Sequence, residues 1–546
     1  MNRRRLELLL AFLLPFLVAL CFANKPVHQD DWAYLRAAVY IAEDPGSALE
    51  KTTLYQGMTI TVAQGVLHGP VWMRVLAICL WFGKSAPFVA HLFSSLCLGL
   101  IGFSMASLAG RFGAPRLSTG LLVALSPVPL VLAGNIMTDL PMLALFCASL
   151  AAAARGFAKA DLRFLVAAGL LGAAASLTRY HGLAILPMLA AMPVLWPRDR
   201  ARLGTLKSLV PFGLALLVVA GFLLKTSLAQ GEADSNRAAS ALLELSEIDR
   251  SACFLVSLAG MGGTLLAMVL GWLVAPKRLL ASLKGPVGIG VLVIAIAGGV
   301  GASVFAEGRG AVLPSDLNLL LQRLLLGLGV LGFLVSAVVV LGGKGEADTE
   351  EPTWRDRYGR ELLLLCWLGG YFIAAWVTVP FGSTRYALPV MPALVLFGAV
   401  FATRHLGARA VHAAVLPMAL VGLGSAVADL RAAQVYPAFA ADLAAARADG
   451  QPHAQGNLWI WGELDFRWYL EEEPGLQAAN AAPRPVDYLD KQSPLEQVTT
   501  PPRVLGREAR ETGVPVAGDH IIRSGVCTSS PDGLSGIYQL PAALMN

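Results

Sequence analysis

The sequence predicts an α-helical polytopic membrane protein that ends in a small α/β domain. Of its 546 residues, 56% are hydrophobic and only 14% are charged, whereas soluble globular chains carry about 25% charged residues. About thirteen apolar runs reach or approach the roughly 20 residues that a helix needs to cross a bilayer. Beyond residue 430 such runs stop, and Pro, Gly and charged residues become frequent. This composition excludes an ordinary soluble enzyme.

The candidate spans follow one another from the N-terminus. The first run follows three arginines, as in a signal peptide, but no small-residue cleavage site follows it. Many apolar runs come later, so we interpret it as a retained span. The predicted spans lie near residues 6–23, 86–109, 117–133, 139–154, 163–178, 181–196, 208–226, 252–275, 286–305, 317–342, 361–380, 386–402 and 410–428.

The orientation of these spans follows from the basic residues, because cytoplasmic loops collect Lys and Arg. With the N-terminus inside, every inside segment is basic, and these seven short segments hold about half of the 42 Lys and Arg residues. The sequence therefore predicts a multi-pass protein of the cell inner membrane, with its N-terminus in the cytoplasm. The C-terminal domain is expected on the extracytoplasmic (periplasmic) face.

Two regions are predicted from this topology: a transmembrane domain over residues 1–429 and a periplasmic domain over residues 430–546. The first outer loop, residues 24–85, contains "WAYLRAAVYIAED" and "GPVWMRVLAICLWFG". In the first of these, Trp32, Leu35, Val39 and Ala42 share one helical face. Both stretches are typical of helices that lie in the membrane interface rather than cross it.

The C-terminal domain is predicted to be α/β from its local pattern. "NLWIWG", "DHIIRSG" and "SGIYQL" indicate strands, and "LDFRWYLEEEPG" indicates a helix that Pro-Gly ends. The seven cysteines are scattered without a CxxC or Cys/His cluster, which indicates neither a disulfide framework nor a zinc site. We expect membrane lipids and no nucleic acid among the partners.

Adjacent aspartates open the first outer loop, in "HQDDWAYL". One of them, Asp30 or Asp31, could simply be the N-cap of the helix that follows. A cap needs only one carboxylate, however, and leaves the second one unexplained. Asp139, in "TDLP", could likewise be a cap ahead of a proline in the first helical turn.

Arginine–tyrosine pairs stand at two predicted outer span boundaries: Arg179-Tyr180 and Arg385-Tyr386. Snorkelling arginines and interfacial tyrosines are common there, and His68 in "LHGPVW" could be an ordinary interfacial histidine. All these features nevertheless share one predicted membrane face. Carboxylates and arginines at the same surface could bind opposite ends of one reaction, namely a hydroxyl to be deprotonated and a phosphate to be released.

The order of these motifs resembles the GT-C class of membrane glycosyltransferases, in particular the group of protein O-mannosyltransferases and lipid A aminoarabinose transferases. The first outer loop of that class opens with Asp-Glu-x-x-Tyr and continues with a His- or Lys-Pro-Pro followed by aromatics. This chain has Asp30-Asp31-Trp32-Ala33-Tyr34 and His68-Gly69-Pro70-Val71-Trp72. Asp31 thus replaces the usual Glu, and Gly69 replaces the first Pro.

Later motifs of the class follow in the same order. Its "SP…TD" turn, its "LTKY" or "LTRY" and its "RYLLPALPAL" are similar to Ser126-Pro127 with Thr138-Asp139, to Leu177-Thr178-Arg179-Tyr180, and to the stretch from Arg385 to Pro392. The tail "LWIWGELDFRWYLEE" is similar to a tryptophan-rich element of bacterial members. The resemblance covers nearly the whole chain and is weakest over about residues 225–360.

The resemblance implies a hexosyl- or pentosyltransferase on the extracytoplasmic face. Such an enzyme moves a sugar from a polyprenyl-phosphate-linked donor to a hydroxyl of a lipid, glycan or protein acceptor, with inversion. Asp30 would be the general base, with Asp31 and Asp139 positioning the base or the acceptor. Arg179 and Arg385 would hold the phosphate. The supporting candidates are Tyr34, His68, Tyr180 and Tyr386.

No cofactor is required by this scheme, although Asp30 and Asp139 could also ligate Mg²⁺ or Mn²⁺. Other functions stay open. A transporter or flippase would carry polar residues at mid-span and paired broken helices in two halves; Arg323 is the main deep charge in this chain. An oligosaccharide polymerase or ligase of the cell envelope, or a structural envelope protein, is a further alternative.

Overall fold

The computed structural model of the chain describes residues 2–28, 31–44, 52–55, 58–61, 70–230, 262, 264–277, 359, 362–371, 385, 388–450, 457–462, 469, 524–530 and 533–539.

Helices dominate the first part of the chain. They are α1 (Arg3–Leu20), α2 (Asp31–Glu43), α3 (Pro70–Cys79), α4 (Ala86–Ala109), α5 (Arg116–Ala124) and α6 (Pro127–Ala133). A β-hairpin of β1 (Thr52–Tyr55) and β2 (Met58–Thr61) stands between α2 and α3, and a 3₁₀ helix, Leu80–Ser85, follows α3.

A second series of helices follows. It comprises α7 (Asp139–Lys159), α8 (Leu162–Thr178), a 3₁₀ helix (Tyr180–Ala184), α9 (Ile185–Leu195), α10 (Pro197–Leu203), α11 (Thr205–Ser208) and α12 (Val210–Gln230). Further along lie α13 (Leu362–Tyr371), α14 (Val390–His405), α15 (Ala408–Ala433) and α16 (Val435–Ala448).

Three helices in the described ranges are long and apolar enough to cross a membrane: Ala86–Ala109, Asp139–Lys159 and Ala408–Asp442. The count is four if the bent pair α5 and α6 is one span. Other predicted spans coincide with shorter apolar helices, such as α8 and α14. The predicted spans near 286–305 and 317–342 lie outside the described residues, and those near 252–275 and 361–380 lie partly outside. The total of thirteen stays a prediction.

The predicted span at 117–133 is not one straight helix. Its two halves, α5 and α6, meet at an angle of 64°. The break occurs at Ser126, whose backbone is extended (φ −65°, ψ 153°) and which precedes Pro127 at the start of α6. The proline ring disfavours a helical conformation at the residue before it. A Ser-Pro dipeptide inside the apolar run therefore explains the bend.

Close contact between α1 and α4 requires a small residue. A Cβ on Gly102 would lie 2.1 Å from the carbonyl oxygen of Ala11, well inside van der Waals contact. Small residues let helix backbones approach closely where apolar lipid supplies no driving force for association. Gly102 thus allows the N-terminal helix to pack directly on α4.

Helix α2 forms where the sequence predicts a helix, but its buried face is wider than predicted. Trp32 and Leu35 are buried as expected, whereas Ala42 is exposed. Packing of α2 against α3 covers a second side of the helix. The buried side chains also include Asp31, Tyr34, Ala37, Ala38 and Ile41.

The C-terminal region contains a three-stranded antiparallel sheet in the order β3 (Asn457–Gly462), β4 (Ser524–Ser530) and β5 (Gly533–Gln539). Strand β3 coincides with the predicted "NLWIWG", and β5 covers most of "SGIYQL". The predicted strand "DHIIRSG" falls inside the described chain only where β4 begins. The predicted helix "LDFRWYLEEEPG" lies outside it except for Tyr469, so the α/β character of this region stays a prediction.

Candidate functional site

A buried turn between α6 and α7 is the centre of the candidate site. The turn comprises residues 134–138, and the residues from Asn135 to Asp139, where α7 begins, are at most 2% exposed. Non-helical backbone that is buried needs hydrogen-bond partners from elsewhere in the molecule. The partners here come from three different elements. Most of the candidate residues that the structure describes contact this turn.

The backbone of the turn is held at Ile136 and Asn135. The N–H of Ile136 donates to Asp31 Oδ1 at 2.7 Å, and its carbonyl accepts from Trp72 Nε1 at 2.7 Å. The carbonyl of Asn135 accepts from the hydroxyl of Ser94 at 3.0 Å. These bonds link α2, α3 and α4 to the turn.

Asp31 is fully buried, and both of its carboxylate oxygens accept hydrogen bonds from the protein backbone. Its second oxygen, Oδ2, accepts from the backbone N–H of His28 at 3.4 Å. The carboxylate thus joins the start of α2 to the turn, which is a positioning role. Asp30, the predicted base, lies outside the described residues, as do His68 and Tyr386.

Asp139 is paired with Arg179 inside the protein. Its Oδ2 accepts from Arg179 Nη1, which also donates to Thr138 Oγ1 at 3.3 Å. Both side chains are buried, at 0% and 3% exposed. The expectation that Asp139 could be a cap is wrong, because α7 begins at Asp139 and Thr138 occupies the cap position. Arg179 likewise does not snorkel, because its guanidinium points inward to the carboxylate.

Arg385 contacts the same turn. Its Nη1 lies 3.5 Å from the sulfur of Met137, and the residue is only partly buried. Arg179 and Arg385 are both within electrostatic range of His181, and Arg179 Nε donates to His181 Nδ1 at 3.3 Å. The structure therefore brings both predicted phosphate ligands to one turn, with His181 in contact with Arg179.

Two predicted tyrosines differ in placement. Tyr180 is 47% exposed, at the boundary between α8 and the next helix, which fits an interfacial tyrosine. Tyr34 is buried in the core on α2, at 4% exposed.

Several residues of the site were not predicted. His181 directly follows "TRY", and its place beside the two arginines was not apparent from the sequence. The buried Lys25 forms an ion pair with the partly buried Asp429, and Lys25 Nζ also donates to Asn135 Oδ1 at 2.5 Å. His28 Nε2 donates to Asp429 Oδ1 at 3.2 Å. The sequence contained one indication of this pair: Lys25 and Asp429 are charged residues at the predicted outer ends of the first and the last span.

The described residues of the site offer few ligands for a metal ion. Within the described ranges, no three His, Cys, Asp or Glu side chains converge as metal ligands. One oxygen of Asp139 already accepts from Arg179, and its Oδ1 makes no hydrogen bond to the described part of the chain. Among the two oxygens of Asp139, Oδ1 is therefore the one that remains for an ion, and the predicted second ligand, Asp30, lies outside the described residues.

Comparisons with known proteins give matches among solved structures. No protein-family model matches the sequence, and no curated protein matches it. ArnT from Cupriavidus metallidurans bound to undecaprenyl phosphate is 18% identical, with 84% of this chain and 83% of ArnT covered and a TM-score of 0.41. Archaeal oligosaccharyltransferase AglB from Archaeoglobus fulgidus, in complex with an inhibitory peptide and a dolichol-phosphate, is 16% identical with a TM-score of 0.43. That match covers 88% of this chain and 61% of AglB.

The chain is thus similar to these proteins over most of its own length, while it spans about 61% of the length of AglB. ArnT in the apo state matches as well, at 17% identity and a TM-score of 0.35.

Proposed function

We propose that the chain is a membrane glycosyltransferase that moves a sugar from a polyprenyl-phosphate-linked donor to a hydroxyl acceptor at the predicted extracytoplasmic face. The observation that carries the proposal is the convergence of Arg179 and Arg385 on one buried turn, next to the segment that contains Asp30 and Asp31. The acceptor is a lipid, glycan or protein hydroxyl. No cofactor is needed for this chemistry.

The two arginines divide the work on the phosphate. Arg385 is partly exposed, and its Nη1 lies beside the sulfur of Met137 in the turn, where it can approach a phosphate from the solvent-accessible side. Arg179 is neutralised in part by Asp139 and is fixed by Thr138 and His181. We assign Arg385 as the main phosphate ligand and Arg179 as the group that completes the positive field. Charge develops on the leaving phosphate, where such cations stabilise the transition state.

The proton of the acceptor goes to a carboxylate. Asp31 accepts two backbone N–H groups and is fully buried, so it positions the site rather than reaching the acceptor. We assign Asp30 as the general base, which takes the proton as the acceptor oxygen attacks the anomeric carbon. The bond from that carbon to the phosphate oxygen breaks, and polyprenyl phosphate leaves. Attack from the face opposite to the phosphate inverts the anomeric centre, as in inverting glycosidases.

The alternative is a transporter or flippase, or an oligosaccharide polymerase or ligase. The bent pair α5 and α6 is a feature that transporters share. The charged groups of the described site, however, gather at one end of the helices rather than at mid-span. A transporter would move the donor without splitting it, so release of free polyprenyl phosphate separates the two functions.

The experiment is a binding measurement with undecaprenyl phosphate on the purified full chain. Arg385→Ala should weaken binding at least about tenfold, because a hydrogen bond to a charged group contributes about 1.5–3 kcal/mol. Arg385→Lys should restore only part of the affinity, since the bidentate fork is lost. Arg404→Ala is the matched control, because Arg404 is an exposed residue in the last turn of α14. Wild-type affinity in Arg385→Ala would contradict the assignment.

A further inference from the structure

Charged side chains connect the segment between α1 and α2 to α15, and they are buried on the segment and partly buried on α15. This segment, residues 21–28, precedes Asp30 and Asp31 in the sequence. Its Lys25 and His28 are 3% and 2% exposed. Both side chains reach the carboxylate of Asp429 on α15, about four hundred residues later: Lys25 Nζ binds Oδ2, and His28 Nε2 donates to Oδ1 at 3.2 Å.

The same charges continue into the buried turn. Lys25 Nζ donates to Asn135 Oδ1, and the backbone N–H of His28 donates to Asp31 Oδ2. Asp31 in turn accepts from the N–H of Ile136. The carboxylate of Asp429 therefore holds two residues of the segment, Lys25 and His28. Lys25 contacts the turn directly, and His28 is linked to it through Asp31.

Helix stability does not explain Asp429, which lies inside the long helical stretch Ala408–Asp442 and caps neither of its ends. Burying charged groups is unfavourable unless they are paired, and apolar residues could replace such a pair with little loss of stability. The ion pair between Lys25 and Asp429 is therefore better explained as a contact that fixes the relative position of the two elements that it joins.

We propose that Asp429 is a positioning residue, which holds the segment that precedes Asp30 in place through Lys25 and His28. This inference rests on the proposed function. The tail supports the same segment, because the hydroxyl of Tyr469 donates to the carbonyl of Val27 at 2.9 Å. Asp429 on α15 and Tyr469 in the tail thus both bind residues of this segment.

The first test separates positioning from binding. Asp429→Asn should lower the rate of sugar transfer about 10²-fold, the loss that a misplacement of about 1 Å can cause. Its affinity for undecaprenyl phosphate should stay within about threefold of wild type, because Arg385 is untouched. The matched control is Asp442→Asn on α16, since Asp442 is exposed, and this variant should transfer at the wild-type rate. A transfer rate in Asp429→Asn within about threefold of wild type would overturn the proposal, and so would an equal loss of binding and transfer.

A double variant covers the case in which Asp429→Asn does not fold. Lys25→Met with Asp429→Leu leaves neither charge of the pair unbalanced, so the protein should fold and bind the carrier. Transfer should still fall about 10²-fold, because the connection is gone. Transfer at the wild-type rate in this variant would show that the connection does not position the base.

A measurement without catalysis distinguishes failure of this inference from failure of the proposed function. Backbone hydrogen exchange over residues 26–38 and 134–138 reports local opening. In Asp429→Asn, exchange in both stretches should be at least about tenfold faster than in Asp442→Asn. Unchanged exchange would show that Asp429 does not hold this segment in place, whatever the rate of sugar transfer. Faster exchange in a chain that neither binds polyprenyl phosphate nor transfers sugar would refute the proposed function and leave the connection intact.

Discussion

Replacing Asp139 by Leu should destabilise the protein strongly, because it would leave the buried guanidinium of Arg179 without its carboxylate. The two side chains are 0% and 3% exposed. Removing one partner of a buried ion pair costs about 3–5 kcal/mol, whereas replacing both partners by apolar residues is often neutral. Arg179→Met alone should therefore also destabilise. The double variant Asp139→Leu with Arg179→Met should be more stable than either single variant.

The assay is thermal unfolding of the purified variants in one detergent at one scan rate, followed by tryptophan fluorescence. The exposed ion pair between Arg3 and Glu7, with side chains 91% and 24% exposed, supplies the control. Glu7→Gln should change stability by less than about 1 kcal/mol, as is usual for surface pairs. The reasoning would be refuted if Asp139→Leu unfolded like wild type, or if the two substitutions were simply additive.

Three further expectations use the same purified protein. Asp31→Leu should cost about 1–3 kcal/mol of stability, because it leaves the buried backbone N–H of Ile136 without an acceptor. Asp31→Asn keeps an acceptor oxygen, so equal unfolding midpoints for the two variants would contradict this reasoning. Gly102→Ala should lower the yield of folded protein, since its Cβ would meet a carbonyl at 2.1 Å, while Gly213→Ala meets nothing within 4 Å and is the control. Reporter fusions at Gly407 and Gly450 should report opposite sides of the membrane, and the same side for both would refute the predicted topology.

Helix positions could be predicted from the sequence because they depend on local runs of apolar residues. The run at 86–109 coincides with α4, and the runs at 139–154 and 163–178 fall within α7 and α8. The bend between α5 and α6 was missed although its cause is local. Its signal, the Ser-Pro dipeptide, was used only as a family motif.

The site could be predicted only in part. The sequence placed Asp139 and Arg179 on one membrane face, but it gave no sign that they pair with each other. Lys25 and Asp429 are separated by 404 residues, and a contact at that distance leaves no trace in periodicity or local composition. The central place of the turn at 134–138 could not be predicted for the same reason, since its partners come from elements that are remote in sequence.

The most direct test of the central claim is transfer by Asp30→Asn. The substitution keeps the size of the side chain and removes its ability to take a proton. Purified wild-type protein, incubated with polyprenyl-phosphate-linked sugars and a hydroxyl acceptor, should release free polyprenyl phosphate. Asp30→Asn should bind undecaprenyl phosphate like wild type and release it about 10²–10⁴-fold more slowly, the usual loss for a general base. Release at the wild-type rate by Asp30→Asn, or no release by the wild type with any such donor, would contradict the account.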